Sequence, residues 1–221
     1  MLRNFISALV LLMCSAGLAA AETPVENPAP VYGVRLAMDV SFPSGASSVY
    51  KTGSGFSLGG VAKFPLSNGF YIEPGLLFQY IGMDSKDMVK FNDNYYYEGS
   101  AKFYGLRIPV NFGYNFTLSP NLTLGVYTGP ELLVALSAKQ GVLPNMTLPD
   151  PMPAQTINLL HNGWKRVSGL WGIGLSLTFA KSYYIGLSAG VNFTPLASFG
   201  DKDKKIRIHR SAIAIALGYN F

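Results

Sequence analysis

The sequence predicts an all-β fold: an eight-stranded antiparallel up-and-down β-barrel that crosses a membrane. Three observations carry that prediction. The first is alternation. From Tyr104 to Phe116 one face holds Tyr104, Leu106, Ile108, Val110, Phe112, Tyr114 and Phe116, and the other holds Gly105, Arg107, Pro109, Asn111, Gly113 and Asn115. Successive side chains of a strand point to opposite faces, so this segment has one apolar and one polar side. Its aromatic residues near both ends suit lipid on one side and a polar lumen on the other. The second is composition. Of 221 residues 49% are hydrophobic and 13% charged, with a mean hydropathy of +0.24. Soluble domains carry about 25% charge. Beyond the N-terminus no stretch reaches the roughly 18 consecutive apolar residues of a spanning helix, and only a closed barrel otherwise satisfies every backbone group in lipid. The third is the alternation of short and long connections between the segments.

The elements follow in order. Residues 1–21 read as a signal peptide: Arg3 supplies the positive charge, Phe5 to Met13 the apolar core, and Ala19-Ala20-Ala21 the cleavage site. Cys14, the single cysteine, lies within it, and Met13 before it is too large for a lipoprotein site. The mature chain would have no disulfide or thiol chemistry. It would carry 16 basic and 12 acidic residues, dispersed and without a nucleic-acid motif. Residues 22–30, with Pro24, Pro28 and Pro30, read as an extended periplasmic leader. Residues 31–221 form the barrel.

Its first segment, Val31 to Phe42, sends Tyr32, Val34, Leu36, Met38, Val40 and Phe42 outward. The second, Gly53 to Phe64, sends out Phe56, Leu58, Ala62 and Phe64, and the third, Phe70 to Met83, sends out Phe70, Ile72, Leu76, Phe78 and Tyr80. The fourth is Tyr104 to Phe116. The fifth, Asn121 to Ser137, shows Leu122, Leu124, Val126, Leu132, Val134 and Leu136. The sixth, Val167 to Ala180, shows Trp171, Ile173, Leu175, Leu177 and Phe179. The seventh, Tyr183 to Pro195, shows Tyr183, Ile185, Leu187, Val191 and Phe193, and the last, Ile206 to Phe221, shows Ile213, Ile215, Leu217, Tyr219 and Phe221. Pro65–Gly69, Thr117–Pro120 and Lys181–Ser182 are tight turns, whereas 43–52, 84–100, 138–166 and 200–205 are longer. Short periplasmic turns and long external loops place both termini in the periplasm. Pro144, Pro149, Pro151 and Pro153 predict that the 138–166 loop is mobile or extended. A soluble barrel would reverse the faces, with charge outside.

The inward positions include Arg35, Asp39, Lys63, Glu73, Arg107 and Glu131. Charges inside a narrow barrel need partners. A turn centred on Ser119 would set Arg107 directly opposite Glu131, and Lys63 falls diagonal to Glu73. An eight-stranded barrel is just wide enough for its own side chains, so these residues read as an ionic plug, with a selectivity ring or proton path as the alternative.

Chemistry is sparse. His209-Arg210-Ser211 resembles the His-x-Ser of outer-membrane lipid A deacylases, but neighbouring segments offer no outward acid to orient the histidine. Gly53-x-Gly55 and Gly172-x-Gly174 lack the strand–turn–helix setting of phosphate loops, and His161 has no metal-spaced companion. No cofactor or metal motif is expected. Asp201 to Lys205 with Arg207 and Arg210 read either as a basic external rim suited to lipopolysaccharide phosphates or as a solvated loop, and Tyr95-Tyr96-Tyr97 reads as a binding platform or a continued strand.

Leu106-Arg107-Ile108-Pro109-Val110, Tyr127-Thr128-Gly129-Pro130-Glu131, Trp171-Gly172-Ile173-Gly174 and Leu217-Gly218-Tyr219-Asn220-Phe221 make the chain resemble the PorT-like "porin family" outer-membrane β-barrels of Bacteroidetes type. The resemblance implies outer-membrane residence. Its members include proteins implicated in secretion or attachment. The ending also resembles the signal read by the barrel-assembly machinery, with Tyr219 and Phe221 as the aromatic pair, although Ala216 stands where that pattern has glycine. The expected function is a non-catalytic outer-membrane component presenting external loops for binding, attachment or envelope integrity, in contact with outer-membrane lipid and lipopolysaccharide. The alternatives are a small-solute pore and a lipid A-modifying enzyme using His209 and Ser211.

Overall fold

The computed structural model describes residues 29–44, 50–86, 90–92, 95–144, 153–199 and 206–221. The expected signal peptide, most of the leader and the Asp201–Lys205 cluster lie outside these residues. Eight long strands make the wall: β1 (Val31–Ser44), β2 (Tyr50–Pro65), β3 (Phe70–Ser85), β5 (Tyr95–Ser119), β6 (Leu122–Pro144), β8 (Val167–Phe179), β9 (Tyr183–Asn192) and β11 (Ile206–Asn220). Three short strands, β4 (Lys90–Asn92), β7 (Gln155–Asn158) and β10 (Ala197–Phe199), lie in the external connections. Each long strand pairs antiparallel with its sequence neighbour, and β1 pairs with β11 over Gly33↔Asn220 to Ser44↔His209, which closes the barrel.

The alternation read from the sequence is the inside–outside division of the wall. Burial along β1 switches at every residue from Tyr32 to Phe42. Outward apolar residues are exposed on every long strand, Met38 at 71% and Phe78 at 41% among them. Aromatic rings gather at both ends. Phe64, Phe70, Phe179, Tyr183, Tyr219 and Phe221 lie at the turn end, and Phe42, Phe56, Tyr104, Trp171 and Phe193 toward the loops. Tyr32 to Phe42 spans roughly 33 Å of strand. Tilted by ~40°, that is the ~25 Å band of an outer-membrane barrel.

Two expectations change. Much of what reads as external loop is wall: β6 runs to Pro144 and β5 begins at Tyr95, so paired strands rise above the aromatic belt. The 138–166 segment is not an open chain where it is described. β7 returns along β6 with Val142↔Gln155 to Lys139↔Asn158, a 3-10 turn follows at Leu159–His161, and Trp164 bridges to Ala197. Burial explains this: Leu159 and Trp164 fill the barrel mouth at 0% and 4% exposure.

Candidate functional site

The lumen is the candidate site, and its lower part begins with Arg35 of β1. Its guanidinium donates to Asn220 at 2.8 Å and Tyr219 O at 3.5 Å, meets Glu73 at 3.4 Å, and stacks 3.9 Å from the centre of the Tyr184 ring. Lys63 Nζ lies 3.9 Å from Glu73 and 4.2 Å from the Tyr71 ring centre. Glu73 therefore serves two cations, and aromatic faces supply the remaining compensation. Asn111 Nδ2 approaches Glu73 at 3.5 Å. The lumen tyrosines need space, which glycines give. A Cβ on Gly113 would meet the Tyr71 ring at 2.4 Å, and one on Gly174 the Tyr127 ring at 2.4 Å. That is the use of the glycine in Gly172-x-Gly174.

Higher in the lumen, Arg107 Nη2 sits 2.7 Å from Glu131. The predicted register is corrected here. Arg107 faces Leu133 and Glu131 faces Pro109, two residues from the expected ladder, because the turn falls at Pro120–Asn121 with Ser119 opposite Leu122, and the irregularity between Thr117 and Ser119 takes back only one residue. The long arginine side chain makes the pair as a diagonal contact instead.

Beside it is a second centre. Asp39 accepts from Arg210 Nη2 at 2.9 Å, Ser41 at 3.2 Å and Gln79 at 3.3 Å, and Arg210 Nε also donates to Ser41 at 2.8 Å. This corrects the expectation that Arg210 belongs to a basic rim: it is 2% exposed and points inward. The parity of the strand carried that signal, because Arg210 alternates with outward His209 and Ser211.

The described lumen thus holds four cations (Arg35, Lys63, Arg107, Arg210) and three anions (Asp39, Glu73, Glu131). A cavity of about 80 Å³ remains between the two centres, lined by Arg35, Asp39, Glu73, Arg107, Glu131 and Arg210 among others. Among the described residues Arg35 Nε, Arg107 Nε and Arg210 Nη1 have no hydrogen-bond partner. A space of that size and polarity suits a few water molecules bridging them.

Above the charges, toward the loop ends of the strands, is an apolar stopper. Tyr50, Ile81, Met83, Phe103, Leu159, Trp164, Leu196 and Ile208 are all at most 4% exposed. Trp164 packs edge-on against Tyr50 with centroids 5.9 Å apart, and Phe103 lies 6.4 Å away. Sequence reasoning missed this layer because Leu159, Trp164 and Leu196 sit in connections, where no period marks them.

The remaining candidates stand apart. His209 and Ser211 face outward as expected; His209 Nδ1 lies 3.3 Å from Asn192 O, and no carboxylate contacts it among the described residues. His161 is exposed, and no cluster of metal-ligating residues occurs among the described residues. Tyr95–Tyr97 belong to the backbone of β5. Tyr219 and Phe221 lie outward on the closing seam, with rings 5.5 Å apart, and Phe221 N donates to Tyr32 O at 2.8 Å.

Residues 31–199 match the family model described as outer membrane protein beta-barrel domain. No curated protein sequence matches the chain. Similar solved structures include Ail, the attachment invasion locus protein of Yersinia pestis, in complex with the heparin analogue sucrose octasulfate, at 12% identity and a TM-score of 0.45, covering 88% of this chain and 100% of that one. Neisserial surface protein A is similar at 14% identity and 0.41, covering 88% and 100%. The N-terminal β-barrel domain of Pseudomonas aeruginosa OprF is similar at 14% and 0.36, covering 86% and 97%.

Proposed function

The chain belongs to the outer membrane protein beta-barrel family, and from that premise we propose that it is a non-catalytic, non-conducting envelope component that works through its external face. Its place is the outer membrane, among lipid and lipopolysaccharide. The observation that carries the reading is the filled lumen: two ionic centres with an 80 Å³ residual cavity, closed above by the Leu159–Trp164 stopper. Ions crossing it would have to break Arg107–Glu131 and Asp39–Arg210 and then pass the buried apolar layer. What the fold offers to partners is the raised rim of β5, β6 and β7, which supports a role in binding, attachment or envelope integrity. A PorT-like member of the family is the finer reading, resting on the motifs around Arg107, Glu131 and Trp171.

The test is planar-bilayer conductance of the refolded barrel, with folding checked by heat-modifiable gel migration. A silent bilayer is expected. Reproducible conductance steps would reverse the assignment in favour of a small-solute pore. Assembly is expected to depend on Tyr219 and Phe221, so deleting Phe221 should lower the inserted fraction in vivo; full insertion would remove the assembly-signal role.

A further inference from the structure

We propose that Lys102 and Lys139 form a docking site for a phosphate of outer-leaflet lipopolysaccharide. The two residues are directly opposite one another on β5 and β6. Both are exposed and lie on the outward face of the wall, in register with Gly82 of β3 on one side and Asn158 of β7 on the other. Directly opposed like charges weaken a strand pair. Among the described residues neither lysine has an ion-pair partner. Asp84, two residues beyond Gly82 on β3, is paired in register with Ser100 and accepts from its hydroxyl.

The level of the pair selects its occupant. One step below, the same outward row holds Phe56, Tyr80 and Tyr104, with ring centroids 5.6 Å and 5.0 Å apart in sequence. Such rings mark the boundary between acyl chains and headgroups. Two residues further along a tilted strand raise Lys102 by roughly 5 Å, to the height at which lipid phosphates lie. Gly82, beside Lys102, projects no side chain into the same row. The lysines thus face sideways into the leaflet rather than up into the medium, which favours a lipid phosphate over a soluble polyanion. Two ammonium groups about a strand spacing apart can straddle one phosphate, taking the place of the divalent cation that otherwise screens it.

The purified full chain, refolded in detergent, would be titrated with phosphorylated lipopolysaccharide and with the same lipid stripped of its phosphates, and the bound fraction read by native mass spectrometry. The wild type should prefer the phosphorylated lipid. Lys102→Gln with Lys139→Gln should weaken that binding roughly 30-fold, from the attraction of two lysines to an anionic lipid surface. It should leave the dephosphorylated lipid unaffected. Lys102→Arg with Lys139→Arg should restore binding, which separates lost charge from lost folding. Millimolar inorganic phosphate should not compete. Equal binding of both lipids by the wild type, an unchanged glutamine variant, or competition by free phosphate or a soluble sulfated polysaccharide would each overturn the site.

Discussion

Replacing Asp39 by alanine should be among the most damaging single changes in the lumen. Its carboxylate is the common acceptor for Arg210, Ser41 and Gln79 at 2.9, 3.2 and 3.3 Å, and the Asp39 and Arg210 side chains are 1% and 3% exposed. Asp39→Ala leaves a buried guanidinium that, among the described residues, holds only the Ser41 bond, with Nη1 already without a partner. Removing one member of a buried pair costs about 3–5 kcal/mol. The adjacent 80 Å³ cavity lets water reach the orphaned charge, so the low end, ~3 kcal/mol, is expected. Arg210→Ala should cost less, ~2 kcal/mol, because the carboxylate keeps two donors. The double variant removes both charges and should be no worse than Asp39→Ala alone, a coupling of ~2 kcal/mol. Leu at 39 with Met at 210 should recover stability further, since well-packed apolar replacements of a buried pair are often neutral. Equilibrium urea unfolding in lipid vesicles, followed by tryptophan fluorescence, measures all four. If the double variant equals the sum of the singles within about 0.5 kcal/mol, the two residues do not form a coupled centre.

The Arg107–Glu131 pair should behave alike but more weakly, because its side chains are 18% and 11% exposed; Arg107→Ala should lose ~2 kcal/mol and the double with Glu131→Ala less than that, by the same unfolding cycle. Leu159 is wholly buried in the stopper, so Leu159→Ala should cost about 2–5 kcal/mol and speed external trypsin cleavage at Lys165 and Arg166; unchanged cleavage would mean that this segment does not depend on the Leu159 anchor. The tryptophans report the two faces of the wall. Trp171 is 54% exposed and Trp164 4%, so brominated lipid should quench fluorescence in Trp164→Phe but hardly in Trp171→Phe, and the opposite result would invert the barrel's faces.

Residue 38 shows what the sequence determines unaided. Met38 lies outward because Ala37 and Asp39 lie inward, and a period of two admits no other arrangement once one face meets lipid. The same parity carries Arg210 inward and His209 outward, and the short turns fix the order of neighbours around the wall. The lateral register is different. Whether Arg107 faces Glu131 or Leu133 depends on whether the turn centres on Ser119 or falls at Pro120–Asn121, and on the one-residue irregularity between Thr117 and Ser119, local choices that show no pattern. Non-periodic burial was equally hidden. Leu159, Trp164 and Leu196 sit among turn residues, and only closure of the barrel creates the cavity they fill. The shared carboxylate of Asp39 likewise exists only after closure, because Gln79 comes from two strands away, across β2, and Arg210 from the seam between the first and last strands. Alternation is a property of each strand; register, stopper and charge pairing exist only between strands that have been brought together.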